Sequence, residues 1–471
     1  MQATTEQKPE APPVRRMHGP NIFDESRPMW RYFLVFLTPL MLSSVLQSAG
    51  STLNSIFVGR LIGVDALGAI SSFFPLLFLL FSFLAGLASG ASVLIGQAYG
   101  AGDQHKMKRV TGTVLSMGLS LGIVVTLVGL LFADRVMSAL GTPQNIFSDA
   151  LGYARIVLVF SPVLFVYIIY VSALRGTGDS QTPFYALIVS TVLGILVTPA
   201  LIRGWFDLPR LGVLSAAVAL VISNLIAFIG MLIYLRVRRH PLALDKEIIT
   251  DLRFDPRIAK RVVQIGVPTG LQFVMVSLAE IAVLSFVNRF GSHATAAYGA
   301  VNQVVSYVQF PAISMSITAS IFGAQCIGAG RNDKLGSVVH VAVALNYIVG
   351  AFLVVLCYLF AWNILGWFIT DLGTLRIAHT LLFITLWGYL IFGNSAVLSG
   401  VMRASGSVLW PTAISIFGIW GVEVPTAYIL MHRIGLDGIW IGYPVAFCVT
   451  LLLQSAYYFL VWKKQRHERL I

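Results

Sequence analysis

Two acidic residues stand where acids are costly. Glu280 lies in "VSLAEIAVLSF" and Glu423 in "GIWGVEVPTAY", each inside an apolar run long enough to cross a bilayer. An ionised carboxylate in hydrocarbon costs several kcal/mol, so such a group normally faces a bundle interior or a watery cavity and marks a proton or ion route. Glu280 precedes Arg289 by nine residues and Glu423 precedes Arg433 by ten. At about 1.5 Å rise per residue both carboxylates sit about 14 Å below the outer edge, near midplane. Acids within a few ångströms of each other titrate as a coupled pair, because ionising one opposes ionising the other. The chemistry on offer is a shared proton, or a cation such as Na+ held between them, discharged when the cavity changes its exposure. The plainer alternative is a protonated Glu bonded to a neighbour, for Glu423 a carbonyl freed by Pro425.

The N-terminal half offers neutral polar groups instead. Gln47, Ser51, Asn54 and Ser55 fall on or near one helix face by their spacing. They suit hydrogen bonding to a substrate or contacts between helices. Tyr298, Gln303 and Trp420 are further candidates for a substrate cavity, and Phe74, Phe78, Phe81, Tyr167, Tyr170 and Tyr307 could line one that accepts flat cations. Packing or lipid contact is the competing role for any single aromatic.

Other chemistries find no footing. A phosphate-cradling Gly-x-x-x-x-Gly-Lys-Ser/Thr loop is missing, so the chain has no means of its own to hold ATP. The zinc-protease helix motif is missing, and the one Gly-x-Ser-x-Gly string, Gly118 to Gly122, lies inside an apolar helical run instead of a strand-to-helix elbow, which argues against an enzyme. Cys326, Cys357 and Cys448 are scattered through apolar runs as small packing residues, and the eight His residues show no ligand spacing. No cofactor or fixed metal is implied beyond a coupling proton or Na+.

The elements that must position these residues are membrane helices. Hydrophobic residues make up 57% of the 471-residue chain and charged residues 11%, too apolar for one aqueous core. Twelve continuous apolar runs are expected at 32–56, 68–96, 112–133, 152–174, 184–202, 211–235, 262–288, 296–325, 337–360, 378–401, 411–431 and 437–462. Continuous hydrophobicity, not alternation, makes them helices. The fold class is therefore an all-α integral membrane protein of twelve transmembrane helices.

The chain also repeats itself. "LRGTGDSQTP" from Leu174 is echoed by "MRASGSVLWP" from Met402, and Pro39, Arg60 and Gln97 match Pro268, Arg289 and Gln325 on nearly one frame. That describes two six-helix lobes related by a parallel repeat. The expected divisions are a cytoplasmic tail at 1–28, a first lobe at 29–236, a linker at 237–260, a second lobe at 261–462 and a tail at 463–471. Arg175, Gly178, Arg403 and Gly406 close equivalent turns: each Arg meets the last helical carbonyls and each Gly allows a tight bend. Gly86/Gly90, Gly96/Gly100, Gly118/Gly122 and Gly438/Gly442 allow close helix approach.

Orientation follows from charge. The net +12 gathers in the ends and alternate turns, including "RVRRH" and "KKQR", so both termini are expected in the cytoplasm of a cell whose inner (plasma) membrane holds the protein. The basic residues flank helices and form no stripe with interleaved aromatics, which excludes a nucleic-acid partner. The expected partners are small organic molecules and the lipid bilayer, with the chain acting as a monomer.

Several segments, in order and duplicated, resemble one family. "PLMLSSVLQSAGSTLNSIFVGRLIG", "GQAYGAGD", "LRGTGDSQTP" and "GVEVPTAYIL" followed by "GLDGIWIGYP" look like the multidrug and toxic compound extrusion family, from about residue 30 to 462. The resemblance implies a V-shaped pair of lobes that expels organic, often cationic, compounds in exchange for protons or sodium ions. It also implies departures. Many relatives carry an Asp six residues before the Arg of "VGR", where this chain has Asn54, and another before the Pro of helix five, where it has Thr198. An acid in the tenth helix of some members has no counterpart between His379 and Met402. Glu280 resembles, within about a turn, the seventh-helix Glu of the family. Under the resemblance, coupling therefore falls to the C-terminal half. Rival readings are a flippase for lipid-linked oligosaccharides of a related fold, which would line its cavity with cations, and a major-facilitator-type exporter.

Overall fold

The computed structural model describes residues 28–205, 209–245, 248 and 254–471. The N-terminal tail and the middle of the linker lie outside these. The described residues form helices and no strand. In the first half these are α1 (Met29–Leu61), α2 (Val64–Gly100), α3 (Gln104–Ala139), α4 (Gln144–Gly176), α5 (Gln181–Arg203) and α6 (Leu214–Val237). The second half repeats the series as α7 (Pro256–Asn288), α8 (Ser292–Gly328), α9 (Leu335–Leu359), a broken α10, α11 and α12 (Leu436–Leu460).

Among the described residues eleven helices are long and apolar enough to cross a membrane, and counting the bent α10 pair as one span brings the number to twelve. Two irregularities interrupt the second half. Helix α10 is split into α10a (Leu372–Thr385) and α10b (Gly388–Ala404), which meet at 42°. Near the break Asn346 of α9 donates its Nδ2 hydrogens to the Leu390 carbonyl (3.1 Å) and to Asn394 Oδ1 (3.0 Å). A side chain thus serves a backbone group near the bend, as buried irregular backbone in a membrane requires.

Helix α11 runs Leu409–Ile416, widens into a π segment at Phe417–Glu423 and resumes as Val424–Ile434. The Val424 amide donates to Ile419, five residues back. Pro425 explains the change of pitch. Its ring would clash with the carbonyl four residues earlier and it brings no N–H to that bond, so the wider turn relieves both defects. The last residue of the wide turn is Glu423.

The halves are welded at one end. The starts of α1 and α7 and the ends of α2, α6, α8 and α12 lie together there, a side referred to below as the terminal side. Phe33 and Phe36 of α1 pack on Phe322 of α8, with centroids 4.9 and 5.4 Å apart. Helices α2 and α7 touch backbone to backbone: a Cβ on Gly86 would fall 2.2 Å from the Gly266 oxygen, so only Gly fits. Accordingly one buried apolar cluster takes in Leu84, Leu94 and Tyr170 of the first half together with Met315, Phe322 and Val401 of the second. A separate cluster, around Val283, Tyr298, Leu382 and Trp440, belongs to the second half alone.

At the seam the repeat becomes a matched pair of bonds. Gln97 of α2 donates Nε2–H to the Ala404 carbonyl at 2.8 Å, and Gln325 of α8 donates to the Gly176 carbonyl at 3.1 Å. Each Gln thus binds the end of the other half's fourth helix. Gly178 and Gly406 follow those ends with φ of 86° and 82°, a region costly for other residues. The arginines differ from expectation, because the terminal carbonyls are already engaged by the glutamines. Arg403 reaches across the seam to Ser89 Oγ at 3.4 Å, and the buried Arg175 Nε has no hydrogen-bond partner.

Candidate functional site

The second half places its acids among aromatic side chains. Glu423 is 5% exposed, at the end of the π segment of α11. Glu280, on α7, is exposed. The two are close enough for their charges to act on one another. Both charges also act on Tyr298 of α8 and on Tyr389 of α10b, and Glu423 acts on Tyr443 of α12. The charge of Glu280 thus reaches residues on α8, α10b and α11.

The aromatic wall is built by helix packing. Tyr298 and Tyr443 share a hydroxyl–hydroxyl hydrogen bond of 3.0 Å. Trp440, one turn before Tyr443, stacks on Tyr298 with centroids 5.8 Å apart and planes 10° from parallel. Asn302 stands one turn after Tyr298 on the same face of α8. Gly442 lets α12 approach α11 at this level, where a Cβ would lie 3.1 Å from the Glu423 carbonyl oxygen. The site therefore offers two carboxylates, phenol hydroxyls and an amide. These are hard oxygen donors, of the kind that suit a proton or a small hard cation.

The remaining candidates separate. Trp420 spends its indole N–H on the Met275 carbonyl of α7 at 3.1 Å, which ties the π segment to the helix that carries Glu280. Gln303 is half-buried beside Asn302. In the first half Gln47, Ser51 and Ser55 line one exposed strip of α1. Asn54, on the same helix, accepts a hydrogen bond from Thr198 Oγ1 of α5 at 3.1 Å. The far-side parts of the lobes thus show a polar strip on α1 and an acid on α7.

Comparison with known proteins places the chain. The MatE family model matches twice, over residues 39–200 and 268–429, so the two matches share the register of the repeat. The chain belongs to the MatE family. It is 52% identical over 450 residues to the probable multidrug resistance protein YoeA of Bacillus subtilis (strain 168), covering 95% of this chain and 97% of that one. The multidrug export protein MepA of Staphylococcus aureus (strain MRSA252) is 26% identical, over 88% and 90% of the two chains. Among solved structures, a mutant of the Vibrio cholerae MATE transporter VcmN superposes with a TM-score of 0.85 at 20% identity, over 93% and 98%. A MATE in complex with MaD3S gives 0.84 at 22% identity, over 92% and 97%. Membership sets aside the major-facilitator reading.

Within the MatE family frame, the Asn54–Thr198 bond has a particular meaning. These are the two positions where the sequence departs from the Asp residues that the resemblance implies, and the fold brings them together as a neutral pair. Sequence reasoning did not find Tyr389, Tyr443, Asn302 or Trp440. A signal existed for two of them, since "GIWIGYP" contains both Trp440 and Tyr443. Their approach to Glu423 depends on how α11 and α12 pack, which no local pattern encodes.

Proposed function

We propose that this MatE-family protein is a secondary active multidrug exporter that expels organic cations in exchange for protons or sodium ions through the Glu280–Glu423 pair. One observation carries the reading: two mutually interacting carboxylates in the second half, among tyrosine and tryptophan rings, against a neutral Asn–Thr bond in the first. The printed names of the relatives, multidrug resistance and multidrug export proteins, support the substrate class.

The physical cycle follows from differential affinity. A cationic substrate is held by the charged pair and by aromatic faces. A proton or sodium ion arriving from the far side lowers the charge of the pair by one and weakens that attraction, so cargo and ion compete for one charge. Release leaves a site whose preferred conformation has changed, because a less charged pair is cheaper to enclose in a low-dielectric interior. No covalent bond is made or broken, so the chain acts as a transporter and not an enzyme, and no resident cofactor is called for.

With the Lys/Arg bias putting both termini in the cytoplasm of the plasma membrane, the welded terminal side is the cytoplasmic side. The described conformation is then outward-facing. Inward opening has to part the Gln97–Ala404 and Gln325–Gly176 bonds and the Arg109–Asp255 ion pair (2.7 Å) between α3 and the start of α7. One chain carries both lobes, so a monomer suffices.

The test is reconstitution in liposomes with an imposed pH or sodium gradient and a fluorescent organic cation as cargo. Wild-type protein moves the dye opposite to the flow of the coupling ion and only while a gradient is imposed, and the ion that supports movement identifies the coupling partner. Wild-type rates in the Glu280→Gln, Glu423→Gln double variant would overturn the assignment.

A further inference from the structure

The stretch 465–471, which follows α12 and a short helical turn at Trp462–Lys464, lies folded against the welded seam. It is fixed at three points. Trp462 is 1% exposed, donates its indole N–H to Ser405 Oγ at 2.8 Å and stacks on His467 with centroids 4.0 Å apart. Asn332, in the turn between α8 and α9, donates to the His467 carbonyl at 3.0 Å. Leu470 then donates its backbone N–H to Gln97 Oε1 at 2.8 Å, while its side chain rests over Gly406, where a Cβ would come within 2.9 Å of Leu470 Cδ2.

The third contact links the halves. Gln97 belongs to the first half and already donates to Ala404 of the second, so the Leu470 amide occupies the other end of the same side-chain amide. Both ends of Gln97 are thereby tied to the second half. Leu470 and Ile471 also pack on the buried cluster shared by the two halves, whereas Glu468 and Arg469 point outward. The segment has one face built to be covered.

The repeat sharpens the point. The segment that leaves the first half also folds back over its own turn: Tyr170 donates to the Leu242 carbonyl, and His240 Nε2 stands 3.8 Å from Asp179 Oδ2 beside Gly178. Its described part is tied to its own half, through Lys108 and Asp245. The equivalent segment after α12 goes further and bridges the seam.

We propose that residues 465–471 form a latch that holds the terminal side of the two halves closed and must leave Gln97 before that side opens. Opening moves Gln97 away from Ala404 and Gly406 together, so the latch cannot keep both its amide contact and its Leu470 seat. Its presence therefore weights the equilibrium toward the closed terminal side.

The experiment measures the spacing of the halves directly. Spin labels on Gln181→Cys and Leu409→Cys, in full-length protein otherwise free of cysteine and reconstituted in lipid nanodiscs, report the terminal-side distance by pulsed electron resonance. The same labels go into a chain ending at Lys464 and into Leu470→Glu, with Arg469→Ala as a control. Both latch variants are expected to raise the ratio of open to closed populations by about tenfold, with the control at the wild-type ratio. A wild-type distribution in either folded latch variant overturns the proposal, as does an equal shift in the control. Should the shortened chain fail to fold, Leu470→Glu decides the matter alone. The readout uses neither substrate nor coupling ion, so its result stands apart from the transport reading.

Discussion

About one helical turn apart in the frame of the repeat, the two halves carry opposite chemistry. In the first half Asn54 and Thr198 satisfy each other across α1 and α5 with a neutral hydrogen bond. In the second, Glu280 and Glu423 face each other's charge across α7 and α11. Duplication explains the shared scaffold, and divergence at a few side chains then assigns different work to each copy. A neutral pair needs no ion to be satisfied, whatever the pH. Under the proposed exchange, a pair of acids is relieved by a proton or cation, which would make its half the one that responds to ions.

That contrast can be broken at its strongest point. Glu280→Gln and Glu423→Gln are each expected to bring gradient-driven efflux of a dye in proteoliposomes to background while leaving the yield of folded protein unchanged. Next in size is the aromatic wall. Tyr298→Phe removes the hydroxyl partner of Tyr443 and is expected to lower the transport rate about tenfold, comparable to the roughly 1 to 3 kcal/mol cost of leaving one buried hydroxyl unpaired. Flux in the same liposomes checks it.

The first half sharpens the comparison from the other side. Asn54→Ala leaves Thr198 without its acceptor and is expected to cost about 1 kcal/mol of thermal stability in detergent, with the ion dependence of transport unchanged. A changed ion dependence would mean that the two halves share the coupling role. The smallest effect concerns the connection between them. Burial works to raise the Asp245 carboxyl, but hydrogen bonds from Lys108 and the Ile248 amide outweigh it and hold it below the usual carboxylate range. A depressed value means that the clamp is fully present above the ordinary carboxylate range and is lost as pH falls through the lowered one. At neutral pH, Lys108→Ala is expected to speed hydrogen exchange at the Ile248 amide a few fold and leave transport intact.

The seam shows how a repeat builds a conformational device. Gln97 and Gln325 are equivalent residues, and each binds the equivalent carbonyl of the opposite half. One interaction specified in an ancestral unit becomes two when the unit is duplicated, which strengthens a closed state without new design. The stretch 465–471 then adds an asymmetric contact on one of the two.

The amino-acid sequence alone determined the helical membrane class and the two parallel six-helix units, and it singled out Glu280 and Glu423 as candidate coupling residues. These follow from apolar length, from markers recurring on one frame and from the cost of charge in hydrocarbon, all of which are properties of local composition. Local pattern also exposed Gln97 and Gln325 as matching residues, though not their partners. Tertiary structure decided which groups meet. The Asn54–Thr198 bond joins residues 144 apart and the Tyr298–Tyr443 bond residues 145 apart, and such pairings depend on which helix faces pack. The break in α10 was likewise invisible, because it sets a backbone defect against a neighbouring helix, whereas Pro425 marked the place of the irregularity in α11 but not its π form. A helix carries its own hydrogen bonds and so can be read from its own residues. A site assembled from several helices exists only once the packing between them is fixed.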